Sequence, residues 1–172
     1  MTLLDIGGGL GGIQHALLDR GVVKAIHVDA STAYLRAARE EAQGRNLADK
    51  IVHLQGDFTE LAMSIPGADL VTLDRVVCCY DDMQALVRTS AKKSGNKLGL
   101  VFPRDLWLIK IFLPLVNFII KLRGSSFRIF LHSTQQIDSI IRSEGLTLET
   151  QRKAGFWQIF VYSRNEEVHA ST

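Results

Sequence analysis

Cysteine is almost missing from this chain: Cys78 and Cys79 are the only two, and they are neighbours. No disulfide framework is available, so the fold has to rest on a buried core. Proline is equally scarce, with Pro66, Pro103 and Pro114 alone, and no repeat, linker or low-complexity stretch divides the sequence. There is no dense run of one charge; basic residues alternate with apolar ones, and nucleic acid is not indicated as a partner. A positively charged leader followed by an apolar stretch and a small-residue cleavage site is also lacking, from which a cytoplasmic location is expected.

What is present reads as one globular domain. Of 172 residues, 47% are hydrophobic and 22% charged, enough to bury a sizeable core. The domain is expected over 1–164, with the polar residues 165–172 as a flexible tail. The net charge of +2 conceals an asymmetry: residues 1–83 hold 7 Lys/Arg against 12 Asp/Glu, and residues 84–172 hold 13 against 6. A basic second half favours a carboxylate-bearing substrate or an anionic membrane surface.

Short apolar runs alternate with helical patterns, the rhythm of βαβ units around a parallel sheet. Strands are predicted at Leu3–Ile6, Ala25–Val28, Ile51–Gln55, Leu70–Leu73 (extending toward Val77) and Lys97–Phe102. Helices are predicted at 13–19, from Ser31 or Thr32 to Gln43, at 83–94, at Leu106–Leu122 and at Thr134–Ser143. The last two strands, Leu146–Gln151 and Trp157–Ser163, are joined by so short a turn that an antiparallel hairpin is expected. The fold class is therefore α/β: a three-layer, Rossmann-like arrangement with a seven-stranded, mostly parallel sheet.

The sharpest feature is "LLDIGGGLGG", in which five of the six residues Gly7 to Gly12 are glycine. Gly7, Gly9 and Gly12 satisfy G-x-G-x-x-G, and Asp29 at the end of the second strand supplies an acid for ribose hydroxyls, so a dinucleotide is one reading. Asp5 opposes it. A pyrophosphate at the end of the first strand meets a carboxylate nearby, an unfavourable pairing in a partly buried site. S-adenosylmethionine carries a sulfonium and an ammonium instead, and needs glycine only for close backbone approach.

The same stretch resembles the first motif of the class I S-adenosylmethionine-dependent methyltransferases, D-x-G-x-G-x-G, with Asp5, Gly7, Gly9 and Gly11 in the matching places. "HVDASTAYLRAAREEA" resembles that family's second strand and helix, and "LQGDF" its third motif. The resemblance implies that Asp29 holds the ribose, that Asp57 takes the adenine amino group, that Phe58 lies beside the ring, and that Asp74 borders the cofactor. It spans nearly the whole chain, with four motifs in order. Family members carry residues before the first strand, commonly a helix over the cofactor; only Met1 and Thr2 precede Leu3 here, so the domain over 1–164 is expected without that N-terminal cap.

Methyl transfer from a sulfonium is an in-line displacement in which positioning supplies most of the help, and a base is needed only for an acceptor proton of high pKa. Tyr80, after the fourth strand, and His132, in "FRIFLHS", are the catalytic candidates; Tyr80, Arg104 and Arg128 are candidates for binding substrate. No residue cluster has metal-ligand spacing; Asp81-Asp82 reads as acidic charge opening a helix. Lys110, Pro114, Asn117 and Lys121 share one narrow face of the apolar helix Leu106–Leu122. That helix is expected as a core or lid element beside an apolar small-molecule acceptor, or else as a peripheral membrane contact. A nicotinamide-dependent oxidoreductase and a non-catalytic cofactor-binding or membrane-docking module stand as alternatives.

Overall fold

The computed structural model describes residues 1–105, 107–122 and 128–164. Leu106, where the apolar helix was expected to begin, and the expected tail 165–172 lie outside the described residues, as does the side chain of Lys110.

Seven strands form one sheet: β1 (Thr2–Ile6), β2 (Lys24–Asp29), β3 (Ile51–Gln55), β4 (Ala68–Asp74), β5 (Ser94–Pro103), β6 (Leu146–Ala154) and β7 (Trp157–Arg164). Their order is β3-β2-β1-β4-β5-β7-β6. The first five strands pair in parallel, and β7 runs antiparallel to both β5 and β6. This is the architecture expected from the sequence. The two residues linking β6 to β7 leave room only for a hairpin, with Ala154 opposite Trp157.

The helices are α1 (Gly12–Leu18), α2 (Thr32–Gly44), α3 (Phe58–Leu61), α4 (Met83–Lys93), α5 (Trp107–Leu122) and α6 (Thr134–Ser143). Alternation along β1 shows how they cover both faces of the sheet. Leu3 joins a smaller cluster with Leu18 and Ala42 from α1 and α2. Leu4 and Ile6 point the other way, into the main core with Leu86 and Val87 of α4 and Ile137 and Ile141 of α6. Each buried Leu, Ile or Val among these contributes about 1.5–3 kcal/mol of transfer free energy. Arg164 fastens α4 and α6 to the last strand, donating to the carbonyls of Ala91 (2.7 Å), Ser94 (2.8 Å) and Glu144 (2.9 Å).

Strand order reverses between β1 and β4, which opens a crevice at the carboxyl ends of these strands. Two local features there depart from the sequence reading. β4 stops at Asp74 instead of running on to Val77, because Arg75 takes a left-handed φ of 58° and Val77–Cys79 coils into a 3-10 turn. The short α3 was not anticipated; the Asp57 side chain caps it by accepting from Thr59 N (2.7 Å).

Helix α5 also differs from a core helix. Asn117, from its polar face, is turned onto the neighbouring chain: its amide donates to Ile129 O and accepts from Ile129 N, both at 2.9 Å. Leu115, Phe118 and Leu122 are exposed, as are Pro114 and Lys121. No helix among the described residues is long and apolar enough to cross a membrane.

Candidate functional site

The glycine loop lies over the end of β1. Gly7, Gly9 and Gly11 all have left-handed φ values, 62°, 56° and 83°, which side chains resist. Gly7 N–H donates to Val28 O at 2.7 Å, stitching the loop to β2. Crowding singles out three positions: a Cβ on Gly7 falls 2.2 Å from Val76 Cγ2, one on Gly8 falls 2.5 Å from Asp5 Oδ2, and one on Gly11 falls 2.4 Å from Gln14 Nε2, the end of a longer side chain.

Asp5 thus sits beneath the loop, 1% exposed, not open to the crevice as its motif position implied. Thr72 Oγ1 donates to its Oδ1 at 2.6 Å, while Oδ2 has no partner. Burial, then the nearby carboxylates of Asp74 and Asp29, push its pKa up to about 6 despite the bond from Thr72. Beside it lies His27, wholly buried, with both ring nitrogens unpartnered and its ring centroid 5.3 Å from that of His53. Burial and the neighbouring His53 lower the His27 pKa to about 4. The Gln14 amide and His15 Nε2 are buried and unpartnered in the same region.

These shifts have opposite consequences for stability. Folded Asp5 keeps its proton to about pH 6 where an ordinary one loses it near 3.8. Its contribution is therefore full below that lower value and lost as pH rises through 6. His27 contributes above its ordinary 6.5 and loses that contribution as pH falls toward 4. Asp5→Asn removes the cost of a buried charge, so the variant is expected to be more stable than the parent by about 1–2 kcal/mol at pH 8. The gain should vanish near pH 4 in urea unfolding. A gain that persists at pH 4 means that the carboxylate charge is not its source.

Asp29, 8% exposed, ends β2 and accepts from Gly9 N (3.0 Å) and Ser31 N (2.8 Å), which ties the loop to the start of α2. A carboxylate has about four lone-pair sites, so two remain for ligand hydroxyls. Asp57 Oδ1 accepts from Tyr80 Oη at 2.5 Å, and Thr59 Oγ1 lies 2.7 Å from each of those atoms. Burial opposes ionisation of Asp57, but the bonds from Tyr80 and Thr59 outweigh it and hold its pKa below the ordinary range. Burial and that same bond push Tyr80 up to about 12. Tyr80 is thus a phenol held by Asp57, not a free base. Phe58 is packed in the core at 3% exposure, with little surface left for an adenine ring.

Asp74 pairs with Arg75, its Oδ2 2.9 Å from a guanidinium nitrogen. Asp5 and Asp29 have no cationic side-chain partner among the described residues. Asp74 and Asp29 both oppose ionisation of the buried Asp5, so a cation nearby lowers that cost, and the bare loop admits one closely. The donor set thus fits the sulfonium and ammonium of the S-adenosylmethionine that the sequence resemblance implies, and it opposes a pyrophosphate.

His132 Nε2–H donates to the Tyr80 carbonyl at 2.9 Å, a bond that leaves Nδ1 as the acceptor in the neutral ring. His132 lines a cavity of about 350 Å³ with Asp81, Asp82, Met83, Gln84 and Gln136. Asp82 caps α4 through Ala85 N. The lining is polar, and the exposed apolar side chains of α5 are not part of it. Arg104 is occupied with the β6–β7 turn, donating from backbone and side chain to Phe156 O and Gly155 O, and Arg128 is exposed. Thr59, Thr72 and His27 escaped the sequence reading. Only His27 carried a signal, a polar residue in the buried phase of "AIHVD".

A model of the family described as "Methyltransferase domain" matches residues 4–93. No curated protein matches the chain by sequence. Among solved structures, the magnesium protoporphyrin IX methyltransferase of Synechocystis, with bound S-adenosylhomocysteine, is 19% identical with a TM-score of 0.74; the match covers 95% of this chain and 74% of that one. An O-methyltransferase family protein from Burkholderia thailandensis is 18% identical, TM-score 0.76, over 95% of this chain and 51% of that one. Mitomycin 7-O-methyltransferase is 27% identical, TM-score 0.67, over 95% and 49%.

Proposed function

The chain belongs to the methyltransferase-domain family, and from that premise we propose that it transfers a methyl group from S-adenosylmethionine to a small or medium, apolar acceptor. The observation that carries the cofactor is the carboxylate set Asp5, Asp29 and Asp74 around a glycine loop, with a buried acid oxygen left unpartnered. The relatives named above as methyltransferases, one holding S-adenosylhomocysteine, support it.

When bound, S-adenosylmethionine supplies an electrophilic methyl on a sulfonium. Asp29 binds the ribose hydroxyls with its remaining lone pairs, and its grip on Gly9 N keeps the loop in the shape that accepts the ligand. Asp57, steadied by Tyr80 and Thr59, takes the adenine amino group. Asp5 acts from beneath the loop as a buried negative charge favouring a cation above it. His132 Nδ1 receives the acceptor's proton where the acceptor has one to lose, and the bond from Nε2 to Tyr80 O aims the ring. The exposed apolar residues of α5 provide the surface for the acceptor.

Thermal melting with separate additions of S-adenosylhomocysteine, NAD and NADP tests the cofactor. Stabilisation by S-adenosylhomocysteine alone is expected, amounting to about 2.7 kcal/mol at a hundredfold excess over Kd. A shift with a nicotinamide dinucleotide alone refutes the reading in favour of an oxidoreductase.

A further inference from the structure

The two cysteines have no part in the proposed methyl transfer, yet they directly precede Tyr80. The 3-10 turn Val77–Cys79 carries both directly before Tyr80. Their sulfurs are 3.7 Å apart, and both lie near the Arg75 carbonyl, at 3.3 Å from Cys78 and 3.6 Å from Cys79. Cys78 is buried and Cys79 exposed. The turn also anchors the acceptor side: Phe130 N–H donates to Cys78 O at 2.7 Å, Cys79 N–H to Val76 O at 2.8 Å, and His132 to Tyr80 O at 2.9 Å.

We propose that Cys78 and Cys79 form a modification site for peroxide, a two-electron oxidant, which closes them into a reversible vicinal disulfide. Exposure makes Cys79 the attacking thiol. Its pKa is lowered to about 7 because Cys78 hydrogen-bonds to it, against the effect of burial, while the same pairing and burial raise Cys78. The Cys79 thiolate attacks one peroxide oxygen, the O–O bond breaks, and the departing hydroxide takes a proton to become water; Cys79 becomes a sulfenic acid. The Cys78 sulfur then attacks Cys79 Sγ and gives up its proton, the S–O bond breaks, and the hydroxyl leaves as a second water. Two thiols are oxidised by two electrons and one peroxide is reduced.

Geometry makes the product labile. Adjacent Cα atoms across a trans peptide are about 3.8 Å apart, below the roughly 4.4 Å at which ordinary disulfides begin. A ring closed there is strained, and strained disulfides have the more oxidising potentials of labile, regulatory bonds. Drawing the sulfurs together also turns the Cys78–Cys79 peptide, whose carbonyl holds Phe130 and whose N–H holds Val76. Oxidation therefore loosens the segment carrying His132. The chemistry involves no methyl donor, and its test stands apart from that of the methyltransferase reading.

The test exposes the full chain to stoichiometric hydrogen peroxide and follows intact mass, the mapped peptide containing both cysteines, and free thiols. Expected is a monomer lighter by two hydrogen atoms, the loss confined to that peptide and restored by dithiothreitol. Cys79→Ser should leave Cys78 as a thiol. Cys78→Ala should instead stop at a dimedone-trapped sulfenic acid on Cys79 and lose thiol roughly tenfold more slowly at pH 7, as the thiol returns to an ordinary pKa. Intermolecular dimers, sulfinic acid without an internal disulfide, or equal behaviour of the two variants overturns the proposal.

Discussion

Asp29→Asn is expected to weaken S-adenosylhomocysteine binding at least about 100-fold, because bonds to a charged acceptor are worth about 1.5–3 kcal/mol each and the proposed function gives Asp29 two ribose hydroxyls. The side chain has a second task that enlarges the loss. Its two oxygens accept from Gly9 N at 3.0 Å and from Ser31 N at 2.8 Å, joining the glycine loop to the start of α2. An asparagine offers one carbonyl oxygen where the carboxylate offers two, so one of these amides loses its partner while the fold around β2 stays packed. Isothermal titration, with the variant's melt as a check of folding, measures the effect. A variant that melts like the parent and binds as tightly shows that the ribose lies elsewhere.

Gly7→Ala should be the most damaging single methyl in the loop. Gly7 has φ +62°, and the added Cβ falls 2.2 Å from Val76 Cγ2. The left-handed penalty of about 1–2 kcal/mol then adds to an overpacking cost of about 1–3 kcal/mol. Val76 yields poorly, since a β-branched side chain has few χ1 alternatives. For a chain of this size, the combined cost corresponds to a melting temperature lower by roughly 5–15 °C. Gly9→Ala is the control: φ is +56°, but a Cβ there meets nothing within 4 Å, so only the backbone penalty of about 1–2 kcal/mol applies. Equal losses in the two variants mean that the approach of β4's exit to the loop is not what demands glycine at position 7.

Much of this architecture was legible before any coordinates. Periodicity marked all seven strands, and the short link before Trp157 foretold the hairpin. Asp29 and the glycines stood out by their places at the ends of β2 and β1, while the roles given to them came from the family resemblance. The difficulties came where contacts distant in sequence decide the outcome. Phe58 was expected against an adenine ring, but the capping of α3 by Asp57 turns Phe58 into the core. The polar stripe on α5 was expected to mark one side of a lid helix, and Asn117 proves to be a clamp on the backbone of Ile129.

The sequence by itself determined the sheet, its order of elements and the chemical class of the crevice, because alternation, turn glycines and strand-end acids are local properties. Only the tertiary structure decided which groups surround each acid. Asp5 and Asp29 look alike in sequence, each an acid closing an apolar run. Three-dimensional packing puts Asp5 under Gly8 with Thr72 as its partner and gives Asp29 bonds to Gly9 and Ser31. Likewise, adjacency in sequence paired Cys78 with Cys79, but the turn after a left-handed Arg75 brought their sulfurs together, burying one and exposing the other. Burial depends on what the rest of the chain lays over a residue, and no window of sequence contains that.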